Sequence, residues 1–375
     1  AFGLFTQQDL LDRVRDLILP DKVGPAYRNN VKKVFVLSRV TIGADVAVTS
    51  IIIERSKKLF PNARICFLAN SKNYELFGGE ENIKIIPMDY QRRGGLISRL
   101  ESWLHALESI NSETKDMEPG EYAIIDSNSR VTQLGLLPLV KKDTGYYLFE
   151  PLAHADEEMR KLGEDVNEWL NKVFEGTIED FTYPALSVPA RYNEAAKGFY
   201  QKLFSNKEFT VTVNFGVGGN DDKRVSDEFE FEVVLHLIEQ GAKVILDEGF
   251  GEDEIERTER LIDRLKARGK TIMRVNGNLA FIEELKPDLI TYKGGIGQFA
   301  ALISQSQFYV GYDSMGQHVA AALEIPELVV FNGYPTEKFS WKWHPYGKGK
   351  IKIIHAEGKA EEGVLESTKK ILSVL

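Results

Sequence analysis

Two long stretches of the chain alternate short runs rich in β-branched and aromatic residues with longer runs whose apolar positions recur at helical spacing. In the first half, strands are expected at residues 34–40, 64–69, 83–87 and 122–126. Between the first two, residues 46–60 show helical periodicity, and Pro61-Asn62 marks the end of that helix. In the second half, strands are expected at 210–215, 243–247, 271–275, 289–292, 308–311 and 328–331. Helices near 228–240, 253–268, 297–304 and 318–323 fall between them. Residues 154–179 read as charged and helical, and the segment from Tyr183-Pro184 to Pro189 breaks the pattern, so a domain boundary is expected within 185–205. This order of elements predicts an α/β protein of two Rossmann-like lobes, with parallel sheets facing a central cleft where a ligand would bind. The expected division is residues 1–190, residues 191–355 and a terminal piece, 356–375, whose amphipathic helix packs back toward the first lobe.

Composition narrows the classes. A length of 375 residues fits two domains, and 43% hydrophobic with 27% charged residues is the balance of a soluble globular protein. Lys and Arg number 47 against 56 Asp and Glu, a formal net charge of -9. A general nucleic-acid binder needs a basic surface to displace phosphate counterions, so nucleic acid is not an expected partner. A local basic pocket for a phosphorylated ligand remains compatible with the charge. The single cysteine, Cys66, excludes a disulfide within the chain and a Cys-rich metal site, and its neighbours Ile65, Phe67 and Leu68 make it a structural thiol. No apolar run approaches the ~20 residues that span a bilayer. Ala1-Phe2-Gly3-Leu4-Phe5 lacks the basic start of a secretory signal, so the expected compartment is the cytoplasm, and no obligate protein partner is evident.

Three strand-to-helix turns carry candidate chemistry. In the first, Ile42-Gly43-Ala44-Asp45-Val46, a small-residue turn follows the first strand. Asp45 there either caps the helix or, at the cleft edge, takes a proton from an attacking hydroxyl. In the second, Phe215-Gly216-Val217-Gly218-Gly219-Asn220 leads to Asp221-Asp222-Lys223-Arg224. Gly218 and Gly219 would expose backbone N–H groups to an anion and Lys223 would add positive charge, with Arg224 as a second cation. Alternatively the segment is a flexible surface turn. The third turn, Asp313-Ser314-Met315-Gly316-Gln317-His318, stands between a strand and a helix of small residues. Ser314, Met315, Gly316 and the free amides of the helix start would face a phosphate. Asp313 would accept bonds from sugar hydroxyls or orient Lys223, and His318 is either a ligand contact or a packed core histidine.

These turns and their surroundings resemble the ADP-heptose:lipopolysaccharide heptosyltransferases, glycosyltransferase family 9. The resemblance is carried in order by Asp45-Val46-Ala47-Val48-Thr49-Ser50 with Pro61-Asn62-Ala63-Arg64, by Asp221-Asp222-Lys223, and by Asp313-Ser314 with His318-Val319-Ala320-Ala321-Ala322-Leu323. It continues through Phe331-Asn332-Gly333-Tyr334-Pro335-Thr336 and His344-Pro345-Tyr346. The chain departs from the family pattern in three places. Gly43-Ala44-Asp45 replaces an adjacent Gly-Asp by insertion or by a Gly-to-Ala change, the glycine of the third turn moves by one to Gly316, and Val225 stands where an aromatic residue is common. The resemblance implies the GT-B fold and inverting sugar transfer without a bound metal or cofactor. The donor would be a nucleoside-diphosphate sugar, expected to be ADP-linked, and the acceptor a glycan or glycolipid hydroxyl at the cytoplasmic face of the inner membrane. It implies Asp45 as general base, Lys223 as counter-charge to the leaving diphosphate, and Asp313, Ser314, Gly316 and His318 on the donor side. Glu252 or Glu254 would hold the donor's ribose, and the choice between them stays open.

On the acceptor side, Gly43, Arg92, Arg93 and Arg130 are candidates, with Arg99 nearby; the plain alternative for the arginines is a solvated basic loop. Two rival functions share the same fold expectation. One is a non-catalytic nucleotide-sugar-binding relative, and the other is an epimerase-like enzyme that acts on its nucleotide sugar without an acceptor.

Overall fold

A computed structural model describes residues 3–374 apart from 19, 21, 91–93, 141–144, 152–158, 176–180, 205–207 and 281–285. The chain divides into two units, Ala1–Ser187 and Val188–Leu375. In the first, β1 (Lys33–Leu37), β2 (Arg64–Ala69), β3 (Ile83–Pro87), β4 (Tyr122–Asp126) and β5 (Tyr146–Leu148) form one parallel sheet in the order β3-β2-β1-β4-β5. β1 is suited to the centre because Val34, Phe35, Val36 and Leu37 are apolar on both faces, and all four are fully buried. The chain builds outward from β1 to β3, then returns to lay β4 on the other side of β1. In open parallel sheets such a reversal leaves a crevice beyond the carboxyl ends of the two strands it separates.

The second unit repeats the device. Its strands are β6 (Thr210–Asn214), β7 (Lys243–Asp247), β8 (Ile272–Asn276), β9 (Leu289–Lys293), β10 (Phe308–Tyr312), β11 (Glu327–Phe331) and β12 (Ile351–His355). All pair in parallel in the order β12-β11-β10-β6-β7-β9-β8, so the reversal lies between β6 and β10. Val211, Val213, Phe229, Leu246, Val310 and Leu328 anchor the core between this sheet and its helices.

Several elements escape the hydrophobic pattern. β5 is only three residues long, too short to show a period, and β12 is an edge strand entered from Lys348-Gly349-Lys350. The helix Leu96–Thr114 buries only Ser102, Ala106 and Ile110, a stripe too narrow and too polar to read as an apolar face. Helices Gln7–Ile18 and Ala190–Leu203 bury two residues each. Ala190–Leu203 occupies most of the expected boundary region, and the units divide just before it. Within the stretch expected to be helical at 154–179, the described helix is Leu162–Val173.

The terminal piece 356–375 belongs to the second unit. Its helix, Glu361–Leu372, packs on Asp227–Glu239 of the second unit, where Lys369 Nζ donates to Glu232 Oε2 at 2.6 Å and Ser226 binds Glu361. Val364 and Leu372 enter the second unit's core, which explains the placement, since this unit offers the apolar surface they cover.

The loop after β11 fastens the turn that carries Lys223. Asn332 Nδ2 donates to the carbonyls of Asp222 (3.0 Å) and Arg224 (2.6 Å). Gly333, at φ +59°, lies so close to Asp222 that a Cβ there would collide with its backbone carbonyl. Gly333→Ala is therefore expected to destabilise the protein by about 1–3 kcal/mol, through both the left-handed backbone and the collision. Denaturant unfolding checks this, and an unchanged midpoint would show that the two loops can part without cost.

Candidate functional site

In the second unit the chain leaves β6 through Phe215-Gly216-Val217 and turns left-handed at Gly218 (φ +63°) and Gly219 (φ +79°). It then tightens into a single helical turn, Asp221–Lys223. This brings Lys223 across the reversal point to the end of β10. Its Nζ donates to Asp313 Oδ2 at 2.6 Å and to the Asp313 carbonyl at 3.1 Å, and the two side chains are 25% and 9% exposed. Asp313 Oδ1 in turn accepts from Gln317 Nε2 at 2.7 Å. Ser314 stands at the N-cap of the helix Met315–Ala322, yet its hydroxyl points away from the helix and donates to Asn214 Oδ1 at 3.3 Å. The first-turn amides of that helix have no acceptor within it and face the same end of the sheet.

A polar chain continues beneath the site. Asn214 Nδ2 donates to Asp247 Oδ2 at 2.7 Å, and burial first, with Glu254 and Glu248 adding to it, pushes Asp247 up to about 7 against the pull of Asn214 and the Gly249 amide. The displaced glycine of the third turn also has a packing reason: a Cβ on Gly316 would collide with the buried Tyr309 hydroxyl under the helix. His318 is a buried core residue with its ring 6.1 Å from that of Trp343. Burial pulls its pKa down to about 4, outweighing the opposite effect of Asp313, so the imidazole is neutral near pH 7.

Of the two ribose candidates, Glu254 is already engaged. Its Oε1 accepts from the Val217 amide at 3.2 Å and its Oε2 from the Phe250 amide at 3.0 Å, tying the loop after β6 to the loop after β7. Glu252 is exposed at the first position of the helix Glu252–Ala267. Arg224 pairs with Glu230 and Asp227, so its charge is used within the fold.

In the first unit β1 ends at Leu37 because Ser38 and Arg39 turn toward Asp45. Asp45 is neither an N-cap nor an exposed base: Thr41 is the N-cap, and Asp45 opens a wide π-helical turn, Asp45–Thr49, inside the helix that runs on to Leu59. Its carboxylate is fully buried and takes four donors, about as many as it has lone-pair sites. Ser38 Oγ (2.6 Å) and Asn73 Nδ2 (3.3 Å) bond Oδ2, while the Arg39 amide (2.8 Å) and Thr49 Oγ1 (2.8 Å) bond Oδ1. Burial raises its pKa to about 6 in spite of those donors and the Arg39 charge. The clasp holds the β-branched Val40 at φ +77°, a conformation that costs of order 1–3 kcal/mol. Gly43 lies in the first helical turn, Ile42–Ala44.

Across the reversal point, Arg39 Nη1 donates to the Ser127 carbonyl at 3.0 Å, just beyond β4. Burial lowers Arg39 to about 10, with Asp45, Glu150 and Asp126 opposing and Arg130 contributing in the same direction. The sequence reading passed over Arg39. The signal available was a basic residue in the loop leaving the central strand. Arg130 is exposed beside it, Arg99 belongs to the helix Leu96–Thr114, and Arg92 and Arg93 lie outside the described residues. Among the described residues, no group of three or more His, Cys, Asp or Glu side chains is placed to hold a metal ion, and no helix is long and apolar enough to cross a membrane.

Residues 221–372 match the family model for glycosyltransferase family 9 (heptosyltransferase). The second unit carries a family 9 glycosyltransferase domain. The match contains Lys223, Asp313 and the helix Met315–Ala322, and on its strength the chain is a glycosyltransferase. Among solved structures the chain is similar to the glycosyl transferase family 9 protein from Veillonella parvula, at 15% identity and TM-score 0.67, over 92% of this chain and 98% of that one. It is also similar to E. coli heptosyltransferase WaaC with ADP-2-deoxy-2-fluoro heptose, at 15% identity and TM-score 0.61, over 91% and 99%. A third is E. coli ADP-heptose LPS heptosyltransferase II, at 16% and 0.55, over 91% and 98%. At these identities the likeness is one of fold; it is the GT-B type expected from the sequence and takes in both units. No curated protein matches the chain.

The saturation of Asp45 has a measurable consequence. An asparagine in its place offers one acceptor oxygen where four donors converge, so Asp45→Asn should lower stability by about 1–3 kcal/mol. Asp45 binds its proton more tightly folded (about 6) than unfolded, so wild-type stability falls as pH rises from about 4 to about 6. The variant lacks that component, so the difference should narrow over the same range. Thermal unfolding across pH checks this, and a difference that widens would mean the folded site favours the ionised carboxylate.

Proposed function

We propose that the chain transfers a sugar, with inversion and without a metal ion, from a nucleoside-diphosphate donor to a hydroxyl of a glycan or glycolipid. ADP is the first nucleotide to test, because of the similar E. coli structures one is WaaC with ADP-2-deoxy-2-fluoro heptose and another is an ADP-heptose LPS heptosyltransferase. The observation that carries the reading is Lys223, held by Asp313 at the β6/β10 reversal point inside the family 9 match. In the reaction the acceptor oxygen bonds to the anomeric carbon as the bond from that carbon to the diphosphate oxygen breaks, and the electron pair leaves on the diphosphate. Lys223 and the first amides of Met315–Ala322 would stabilise that developing charge, the task a divalent cation performs elsewhere. Binding then exchanges partners at Lys223: phosphate replaces the Asp313 carboxylate, which Gln317 still holds, and Asp313 turns to the sugar hydroxyls.

The acceptor proton goes to Asp45 in this reading, and a pKa of about 6 suits a base working near neutrality. For this the carboxylate must release a donor, and Asn73 at 3.3 Å is the longest of the four contacts. Arg39 and Arg130 would meet an anionic group on the acceptor. The saturation of Asp45 equally favours a second reading, a relative that binds nucleotide sugar without transferring it. Release of nucleoside diphosphate only when acceptor is added supports transfer; release without acceptor points to an epimerase-like or hydrolytic enzyme, and none at all points to the binding relative.

Thermal stabilisation by ADP, UDP, GDP and CDP tests the donor site directly, because a ligand that binds only the folded form must stabilise it. Lys223→Ala is expected to weaken the best of these about 10- to 100-fold while leaving the bare nucleoside unchanged, the loss of one charge-assisted contact. Equal losses for both would remove Lys223 from the phosphate. Binding and turnover are expected to survive EDTA, and loss restored by Mg²⁺ or Mn²⁺ would overturn the metal-free scheme.

A further inference from the structure

The short helix Glu337–Lys342 and the residue after it carry three large aromatics, Phe339, Trp341 and Trp343, within five positions. The helix sorts them onto two faces. Trp341 turns toward the strand ends, with its ring 4.7 Å from that of His344, which itself packs on Phe331 at 4.9 Å. Phe339 and Trp343, four positions apart and therefore one above the other, point the other way. Their rings are 6.3 Å apart, and Trp343 lies 6.1 Å from His318 on the helix that follows Asp313. Phe339 remains 40% exposed, Trp341 36% exposed and Trp343 partly buried, so core packing accounts fully for none of the three, and what separates the faces is where they lie.

The backbone at the base of this aromatic pair adjoins the side chains of the proposed donor site. Gln317 Nε2, the donor that holds Asp313 Oδ1 at 2.7 Å, also lies 3.5 Å from the Trp343 carbonyl. One side-chain amide therefore joins the Lys223–Asp313 pair to the base of the aromatic pair. An aromatic ring presents a negative π face, and one face of a pyranose presents weakly positive C–H groups, so the two stack while the sugar hydroxyls remain free for Asp313. Binding sites in general combine such an apolar wall with a few placed polar groups.

We infer that Trp343, backed by Phe339, is a specificity wall for the pyranose ring of the donor sugar. This deepens the transferase reading and rests on it. The wall contacts the sugar and not the nucleotide, so its removal should separate two affinities that the loss of Lys223 would lower together.

The test is calorimetric titration of wild type, Trp343→Ala, Trp343→Phe and Phe339→Ala with ADP and ADP-glucose, and with the UDP and GDP pairs. Trp343→Ala is expected to lose about tenfold in affinity for the nucleotide sugar relative to the nucleoside diphosphate alone, and Trp343→Phe to keep most of it. In fluorescence, a change seen with ADP-glucose but not with ADP should persist in Trp341→Phe and vanish in Trp343→Phe. Phe339→Ala, which alters an exposed position, reads the same wall if Trp343→Ala does not fold. Equal losses for sugar and diphosphate, or no loss for either, would overturn the wall while leaving the donor site standing. Failure of wild type to bind any nucleoside diphosphate would remove the donor reading and the wall with it.

Discussion

Lys223 and Asp313 stand ninety positions apart in the chain, and their ion pair forms because β6 and β10 lie side by side in the sheet. Most of the second unit's site follows from that adjacency. It sets Asn214 at the end of β6 opposite Ser314 after β10, which makes a polar chain from Asp247 to the helix start possible. It also fixes which turn needs fastening from behind, and the loop after β11 supplies this through Asn332 and Gly333. The pair is only partly sheltered, with the lysine side chain 25% and the carboxylate 9% exposed, so in the proposed reaction a phosphate could take the place of the carboxylate.

The first unit uses the same reversal of strand order differently. Its carboxylate is not paired with a mobile cation but surrounded by two hydroxyls, an amide side chain and a backbone amide. Those donors hold the loop after β1 in a shape that a β-branched residue resists, and that shape presents Arg39 to the carbonyl after β4. Asp45 is therefore a structural clasp first, and any proton transfer it performs must begin by loosening that clasp.

The parts legible in the sequence were those in which one short segment contains the whole signal. β2, β3, β4 and β7 begin and end where the apolar runs do. The strand–turn–helix placement of Lys223, Asp313 and Ser314 was readable because each segment has a recognisable composition. Arg39, Gln317 and Asn214 were not, because their significance depends on which strands are neighbours, and strand order leaves no local trace. The helix Leu96–Thr114 was missed for a different reason: a helix that buries Ser102, Ala106 and Ile110 gives almost no amphipathic contrast. Burial of Asp45 was equally invisible, since the composition of a turn does not say how deeply it sits.

The π turn at Asp45–Thr49 gives the Gly43-Ala44-Asp45 spacing a mechanical meaning. A hydrogen-bonded loop of that kind closes over one more residue than an α turn does. An additional residue placed there is absorbed as local widening and does not rotate everything downstream. Ile51, Ile52 and Leu59 thus stay on the buried side of the helix. Removing a single residue from this stretch would return it to regular pitch with the same face inward, whereas a one-residue change further along, between Ser50 and Leu59, would swing the apolar face by roughly a quarter turn into solvent. Length variation in this part of the chain is therefore tolerated at one place, and that place is the turn that shapes the candidate site.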